Sequence, residues 1–223
     1  MRLFTSWASL ENDIKLMTSE MKDIHTLKKE FDEVPSSDNL AFVNFYEHNR
    51  HSVESIDVDK DEGHYNAKLR LISEYGISLF GSGQYTQAVK VLSEAIPMFE
   101  NAPNQNKSDL KNISYFEHLL WSYAVSLYET KDLNESIKQF ERLVEYKPEN
   151  DKYRNWLKAL KGQKISKLIK PLWILIFAWL IGEFTFFESF SSELQFRLSL
   201  IGGFLLLIAG GFELYIYLIK KKK

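Results

Sequence analysis

Two stretches of the chain decide its fold. The first is Ile72-x-x-Tyr75-Gly76-x-x-Leu79, followed by Gly83-Gln84-Tyr85, then Ala88-x-x-x-Leu92 and Ala95. The second is Leu120-x-x-Tyr123-Ala124-x-x-Leu127, followed by Lys131-Asp132-Leu133, then Ser136-x-x-x-Phe140 and Pro148. Internal spacing is the same in both. Apolar residues three and four apart describe one face of a helix, so each stretch reads as two helices joined by a tight turn. Gly76 and Ala124 are the small residues of the first helix, and Ala88 and Ser136 those of the second. Only a small side chain fits where two helices cross closely, so these four positions, with Pro148 closing the second stretch, are the expected repeat-packing residues.

The pattern resembles the tetratricopeptide repeat, which has large–large–small residues on helix A, a small residue on helix B and a closing proline. The resemblance implies an all-α fold, a helical repeat domain spanning residues 63–165 with Asp151–Gln163 as its capping helix. It departs from the family in three ways, one being that the first stretch has Glu100 where the closing proline is expected. The stretches are offset by 48 residues where 34 is usual, with the extra ones around Asn101–Ser114; Ser108 is the expected N-cap of an early-starting second A helix. Pro97 falls within the first B helix and is expected to kink or shorten it.

The resemblance also implies a ligand groove on the concave face of the A helices. Its positions in this sequence are Arg70, Ser73, Ile77 and Phe80, then His118, Trp121, Val125 and Tyr128. Relatives that clamp a terminal carboxylate use lysine and asparagine there; Ser73 and Ile77 do not fit that role. The surface is aromatic and apolar, suited to a protein partner that presents a helical or apolar segment.

Residues 1–62 show no such pattern. Leu10, Ile14, Met17, Met21, Ile24 and Phe31 predict one amphipathic helix of about 20 residues, and Leu40–Tyr46 a second. The pair is either a degenerate first repeat or an arm that fills the groove.

The tail is different in kind. Leu168–Phe187 and Leu198–Ile219 are almost wholly apolar, and about 20 helical residues span the hydrocarbon core of a bilayer. The chain therefore divides into transmembrane helix 1 (166–187), a short connection (188–197), transmembrane helix 2 (198–219) and a basic tail (220–223), an antiparallel hairpin. Residues 151–170 hold seven basic side chains and one acidic, and Lys220–Lys223 follow the second span. The excess of lysine on one side predicts both termini in the cytoplasm, at the plasma membrane in a bacterium. No apolar leader precedes the body, so no cleaved signal is expected. Glu183 and Glu213 fall within the spans, at expected levels about 10 Å apart along the membrane normal. Gly203 and Gly210, one heptad apart, are the expected helix-packing positions, against span one or another protein.

Composition excludes other classes. The chain has 223 residues, a formal net charge of −2 and no cysteine. Near-neutral charge argues against nucleic acid, and the missing thiols exclude disulfides and thiolate metal sites. Asp57-x-Asp59-x-Asp61 lacks the glycine and glutamate of a calcium loop, where Glu62 and Lys68 stand instead. His48 and His51 have no third ligand. No phosphate loop or nucleophile elbow is present. No enzyme activity, cofactor, metal or small-molecule substrate is expected. The expected function is a membrane-anchored adaptor or scaffold with a protein partner. The alternative is an accessory subunit assembled into a larger membrane complex through the hairpin. A transporter using Glu183 or Glu213 and an organelle-fission adaptor are further rivals.

Overall fold

A computed structural model describes residues 22–35, 37–103, 110, 113–186 and 191–221. All regular structure among them is helical: α1 (Ile24–Asp32), α2 (Asn39–Glu54), α3 (Glu62–Gly81), α4 (Tyr85–Glu100), α5 (Ser114–Glu129), α6 (Leu133–Tyr146), α7 (Asp151–Phe186) and α8 (Ser192–Lys221). They form two compact units, Met1–Lys131 and Asp132–Lys223.

In the first unit α3 and α5 pack side by side, and α1 lies against α3. Helix α2 packs on α1 and α3, and α4 packs on α3 and α5. The outcome is a layer of α1, α3 and α5 backed by α2 and α4. Leu27, Val53, Leu79, Leu92, Phe116, Leu119, Leu120 and Ala124 are fully buried between the layers. Helices α3 and α4 cross closely at Gly76, where a Cβ would lie 2.6 Å from Leu92 Cδ2. That is the crossing expected there, and Ala88 is fully buried on the facing helix.

Helix starts follow the acidic caps. The Asp23 carboxylate accepts from the His25 and Thr26 amides at 2.8 and 2.9 Å, bonds that hold it below its ordinary pKa. Asp38 and Asp61 cap α2 and α3 in the same way. Asp23 has extended backbone (ψ 161°), so α1 begins at Ile24 and the expected 20-residue helix is broken there. Its earlier positions, Leu10, Ile14, Met17 and Met21, lie outside the described residues. Helix α5 also starts later than expected. Ile113 is extended, and the first helical residue is Ser114; Ser108 lies outside the described residues. Pro97 does not shorten α4, which runs three residues further. A proline in the last turn removes only one backbone bond, and this one is exposed, so water reaches the orphaned carbonyl.

The two expected turns share a backbone feature. Gly83 has φ +73° and Lys131 has φ +71°, the same left-handed conformation 48 residues apart. In each case its amide donates to the residue three earlier, Phe80 or Tyr128, at 3.0 Å. Glycine adopts this conformation freely; lysine does not.

In the second unit α6 packs on α7 through the stacked rings of Phe140 and Trp156 (5.4 Å) and an ion pair between Lys161 and Glu141 (2.7 Å). Phe140, Leu143, Tyr153 and Leu160 are buried there. Pro148, in the turn before α7, is exposed, and its carbonyl accepts from Arg154 at 2.7 Å. Helix α7 is unbroken for 36 residues, through Pro171, a length of about 54 Å. The expected capping helix and first span are therefore one rod, and no boundary falls at 165.

Helices α7 and α8 pack on each other, with Ile176 and Ala209 buried. Their close contact is at Gly202, where a Cβ would lie 2.9 Å from Trp179 Nε1. Gly203 and Gly210 are exposed, with nothing within 4 Å of a Cβ at either. The expectation for these two is corrected as regards span one: adjacent residues on a helix point about 100° apart, so only one glycine of each pair can face α7.

Candidate partner-binding face

The positions expected to form the groove fall into three groups. Arg70 is exposed, with its charge paired inside the chain. Its guanidinium pairs with Asp32 at 3.0 Å and lies 4.8 Å from the centre of the Phe31 ring, so α1 holds it. Phe31 in turn packs on Phe42 and Phe45 of α2. Ser73 is fully buried, so it is not a groove residue as expected; α5 packs over this stretch of α3 and brings Tyr115 to Ser73 and Glu74. Burial and the Glu74 carboxylate push the Tyr115 phenol up, well beyond its ordinary range. Among the described residues neither the Ser73 nor the Tyr115 hydroxyl has a well-aligned hydrogen-bond partner.

The remainder stays accessible. Ile77 and Phe80 on α3, and Trp121, Val125 and Tyr128 on α5, are half-buried, and His118 is exposed. Trp121, Val125 and Tyr128 follow one another at intervals of four and three, one stripe of α5. Phe80 contacts Tyr85 with ring centres 6.1 Å apart, and the Lys131 ammonium sits 5.8 Å from the Tyr128 ring.

Sequence reasoning missed the contacts that lock α2 to α3. Tyr46 and Tyr75 stack with ring centres 3.8 Å apart and planes 2° from parallel. The Tyr75 hydroxyl donates to the Glu47 carboxylate, which also accepts from Arg50 at 2.6 Å. Burial pushes both phenols up to about 12, helped at Tyr75 by the hydrogen bond to Glu47 and at Tyr46 by the Glu54 charge. The spacing Tyr46-Glu47-x-x-Arg50 was the available signal: an i, i+3 ion pair beside an aromatic ring.

Among the described residues, other polar features assemble no reactive set. A cavity of about 350 Å³ lies between Gly83–Gln87 and Glu129–Thr130, lined by one carboxylate and no histidine. No three His, Cys, Asp or Glu side chains among the described residues are grouped to hold a metal ion. Asp61 caps α3 and meets the His64 ring at 2.8 Å; Asp57 accepts from the Asp59 amide. His48 and His51 are exposed on α2.

In the hairpin the acids are far apart. Counting from the Trp179–Gly202 contact at 1.5 Å per residue, Glu213 lies about 16 Å toward the Lys170 end and Glu183 about 6 Å the other way. Their backbone levels differ by about 22 Å, more than the 10 Å expected. The side chain of Glu183 lies outside those described. No protein-family model, curated protein or solved structure matches this chain.

Proposed function

We propose that the chain is a membrane-anchored helical scaffold, held by the α7–α8 hairpin, whose first unit binds an apolar or helical segment of another protein. It is similar to a tetratricopeptide-repeat adaptor in this reading, with α3 and α4 as one full repeat and α1 and α2 as a degenerate one before it. The mechanism is localisation: tethering raises the partner's effective concentration at the membrane without chemistry.

The observation that carries the anchor is what surrounds the hairpin. Both helices are long and apolar enough to cross a membrane, and only 12% and 11% of the apolar windows are buried. A core helix of a soluble protein would be mostly covered. Here Ile174, Ile181 and Leu207 are 69%, 67% and 76% exposed. Charged residues bracket this surface. Lys170 is nine residues before Trp179 and Glu213 eleven after Gly202, about 14–16 Å to one side of the contact; Glu183 is four after Trp179 and Arg197 five before Gly202, about 6–8 Å to the other. Lysine excess supports a cytoplasmic body.

The partner face rests on Ile77, Phe80, Trp121, Val125 and Tyr128, because half-exposed aromatic rings are the usual anchors of an interface. Affinity purification of the detergent-solubilised chain beside a Trp121→Ala/Tyr128→Ala variant tests this. A partner recovered with the parent and lost with the folded variant supports the reading. Equal recovery, or none from either, defeats it. The second reading, an accessory subunit, is favoured by one observation: Gly203 and Gly210 lie open on the outer face of α8, where another helix can approach closely. Gly203→Leu/Gly210→Leu would then release a co-purifying membrane protein that the aromatic variant retains.

A further inference from the structure

Between the packed base of α7 and its apolar half lies a run of five lysines at every third position: Lys158, Lys161, Lys164, Lys167 and Lys170. A residue on an α-helix is rotated about 100° from the one before, so a step of three turns back by about 60°. The five lysines therefore wind about 240° around the rod while climbing about 18 Å. That arrangement is not the one-sided charge stripe of a helix lying on a membrane surface. It is a partial ring around a helix that passes through a charged layer.

The ring divides at Lys161. This lysine pairs with Glu141 and belongs to the contact between α6 and α7. Lys164, Lys167 and Lys170 are exposed and form no ion pair with any described residue. From the first to the last they climb about 9 Å, comparable with the ~5–8 Å headgroup layer on each side of a bilayer. Lys170 stands about 14 Å from the Trp179–Gly202 contact, at the edge of the apolar slab. Seven basic residues against one acidic leave 151–170 strongly positive, whereas residues 1–150 are net acidic.

We propose that Lys164, Lys167 and Lys170 form a binding surface for the headgroups of anionic phospholipids in the leaflet that adjoins the helical body. This inference rests on the membrane-spanning reading. Each lysine held at such a surface contributes an attraction of roughly fivefold in partition, and the three fan over about 120° of the helix circumference. They therefore recruit headgroups along one flank of α7, not one lipid in a pocket. The neighbouring Glu213, at about the same level on α8, opposes the effect and sets its limit.

The test uses the full chain in vesicles of phosphatidylcholine doped with phosphatidylglycerol. Protein is extracted in mild detergent, and the co-purifying lipid is compared with the bulk composition. The parent is expected to be enriched several-fold in phosphatidylglycerol at low ionic strength and not at ~1 M salt, where the screening length is ~3 Å. Lys164→Gln/Lys167→Gln/Lys170→Gln should fall to the bulk ratio, while Lys28→Gln/Lys29→Gln/Lys90→Gln, with the same loss of charge on the body, should keep the enrichment. Inorganic phosphate should displace no more lipid than chloride at equal ionic strength; stronger displacement would assign the surface to free phosphate and overturn the proposal. Carbonate-resistant insertion is scored on the same samples. Insertion without enrichment, or equal loss in both triple variants, overturns the proposal alone; failure to insert overturns the anchor reading beneath it.

Discussion

Gly76 offers the sharpest perturbation of the helical body. In an exposed helix, Gly→Ala stabilises by about 1 kcal/mol, because alanine loses less backbone freedom on folding. At Gly76 the new methyl would sit 2.6 Å from Leu92 Cδ2 and 2.9 Å from its Cγ. Leu92 is fully buried and cannot swing into solvent. Overpacking of this kind costs about 1–3 kcal/mol, so Gly76→Ala should be net destabilising by about 0–2 kcal/mol. Leu92→Ala alone should cost about 2–5 kcal/mol through lost burial and the cavity left behind. In that background the Leu92 clash is gone, only Val91 Cγ1 stands tight at 3.3 Å, and the helix preference remains. Gly76→Ala should then stabilise by about 1 kcal/mol, a reversal of sign. Gly162→Ala, in α7 with nothing within 4 Å of its added Cβ, supplies the unobstructed reference. Chemical unfolding of the four proteins in mild detergent, followed by helical circular dichroism, gives the double-mutant cycle. If Gly76→Ala stabilises the parent as much as Gly162→Ala does, the α3–α4 crossing is wrong.

Lys131→Gly should raise stability by about 0.5–1 kcal/mol, measured in the same unfolding assay, since it relieves a left-handed lysine. Alkaline pH should weaken the body in a defined window. The folded-state values of Tyr46 and Tyr75 are raised to about 12 from an ordinary value of about 10. Their contribution is therefore complete below about pH 10 and lost as pH rises toward 12. Absorbance at tyrosinate wavelengths should show Tyr46 and Tyr75 among the late-titrating phenols, beside Tyr65 and Tyr115, and Tyr75→Phe should remove one of them and flatten the alkaline loss of stability. In the hairpin, Gly202→Leu should lower the melting temperature in detergent by pushing Trp179 away, whereas Gly203→Leu should leave it unchanged, because that position opens outward.

Legibility in the sequence followed how local each constraint was. The all-helical class and the apolar tail were legible because periodicity and length report them directly. Gly76 was legible because two stretches in one register mark the same small position. Gly202 was not. Spacing by a heptad singles out Gly203 and Gly210, and only the packed hairpin shows that Gly202 alone of the four glycines at 202–203 and 210–211 meets α7. The break at Asp23 was hidden because an apolar period continues past a cap that stops the helix. Of the groove, Ile77, Phe80, Trp121, Val125 and Tyr128 kept accessible surface, but Ser73 and Arg70 did not stay free. Their neighbours, Tyr115 on α5 and Phe31 with Asp32 on α1, are far away in sequence, and no spacing rule brings them together.

The anchor is tested most directly by cysteine labelling, because the chain contains no cysteine of its own. Ser191→Cys lies just before α8, and Ser82→Cys lies in the turn after α3; both serines are exposed. In intact cells or right-side-out vesicles, an impermeant maleimide should label Ser191→Cys at once and Ser82→Cys only after permeabilisation, with both proteins resistant to carbonate extraction. Extraction into the soluble fraction, or labelling of both positions from the same side, would contradict a hairpin that crosses the membrane and holds the helical body on its cytoplasmic face.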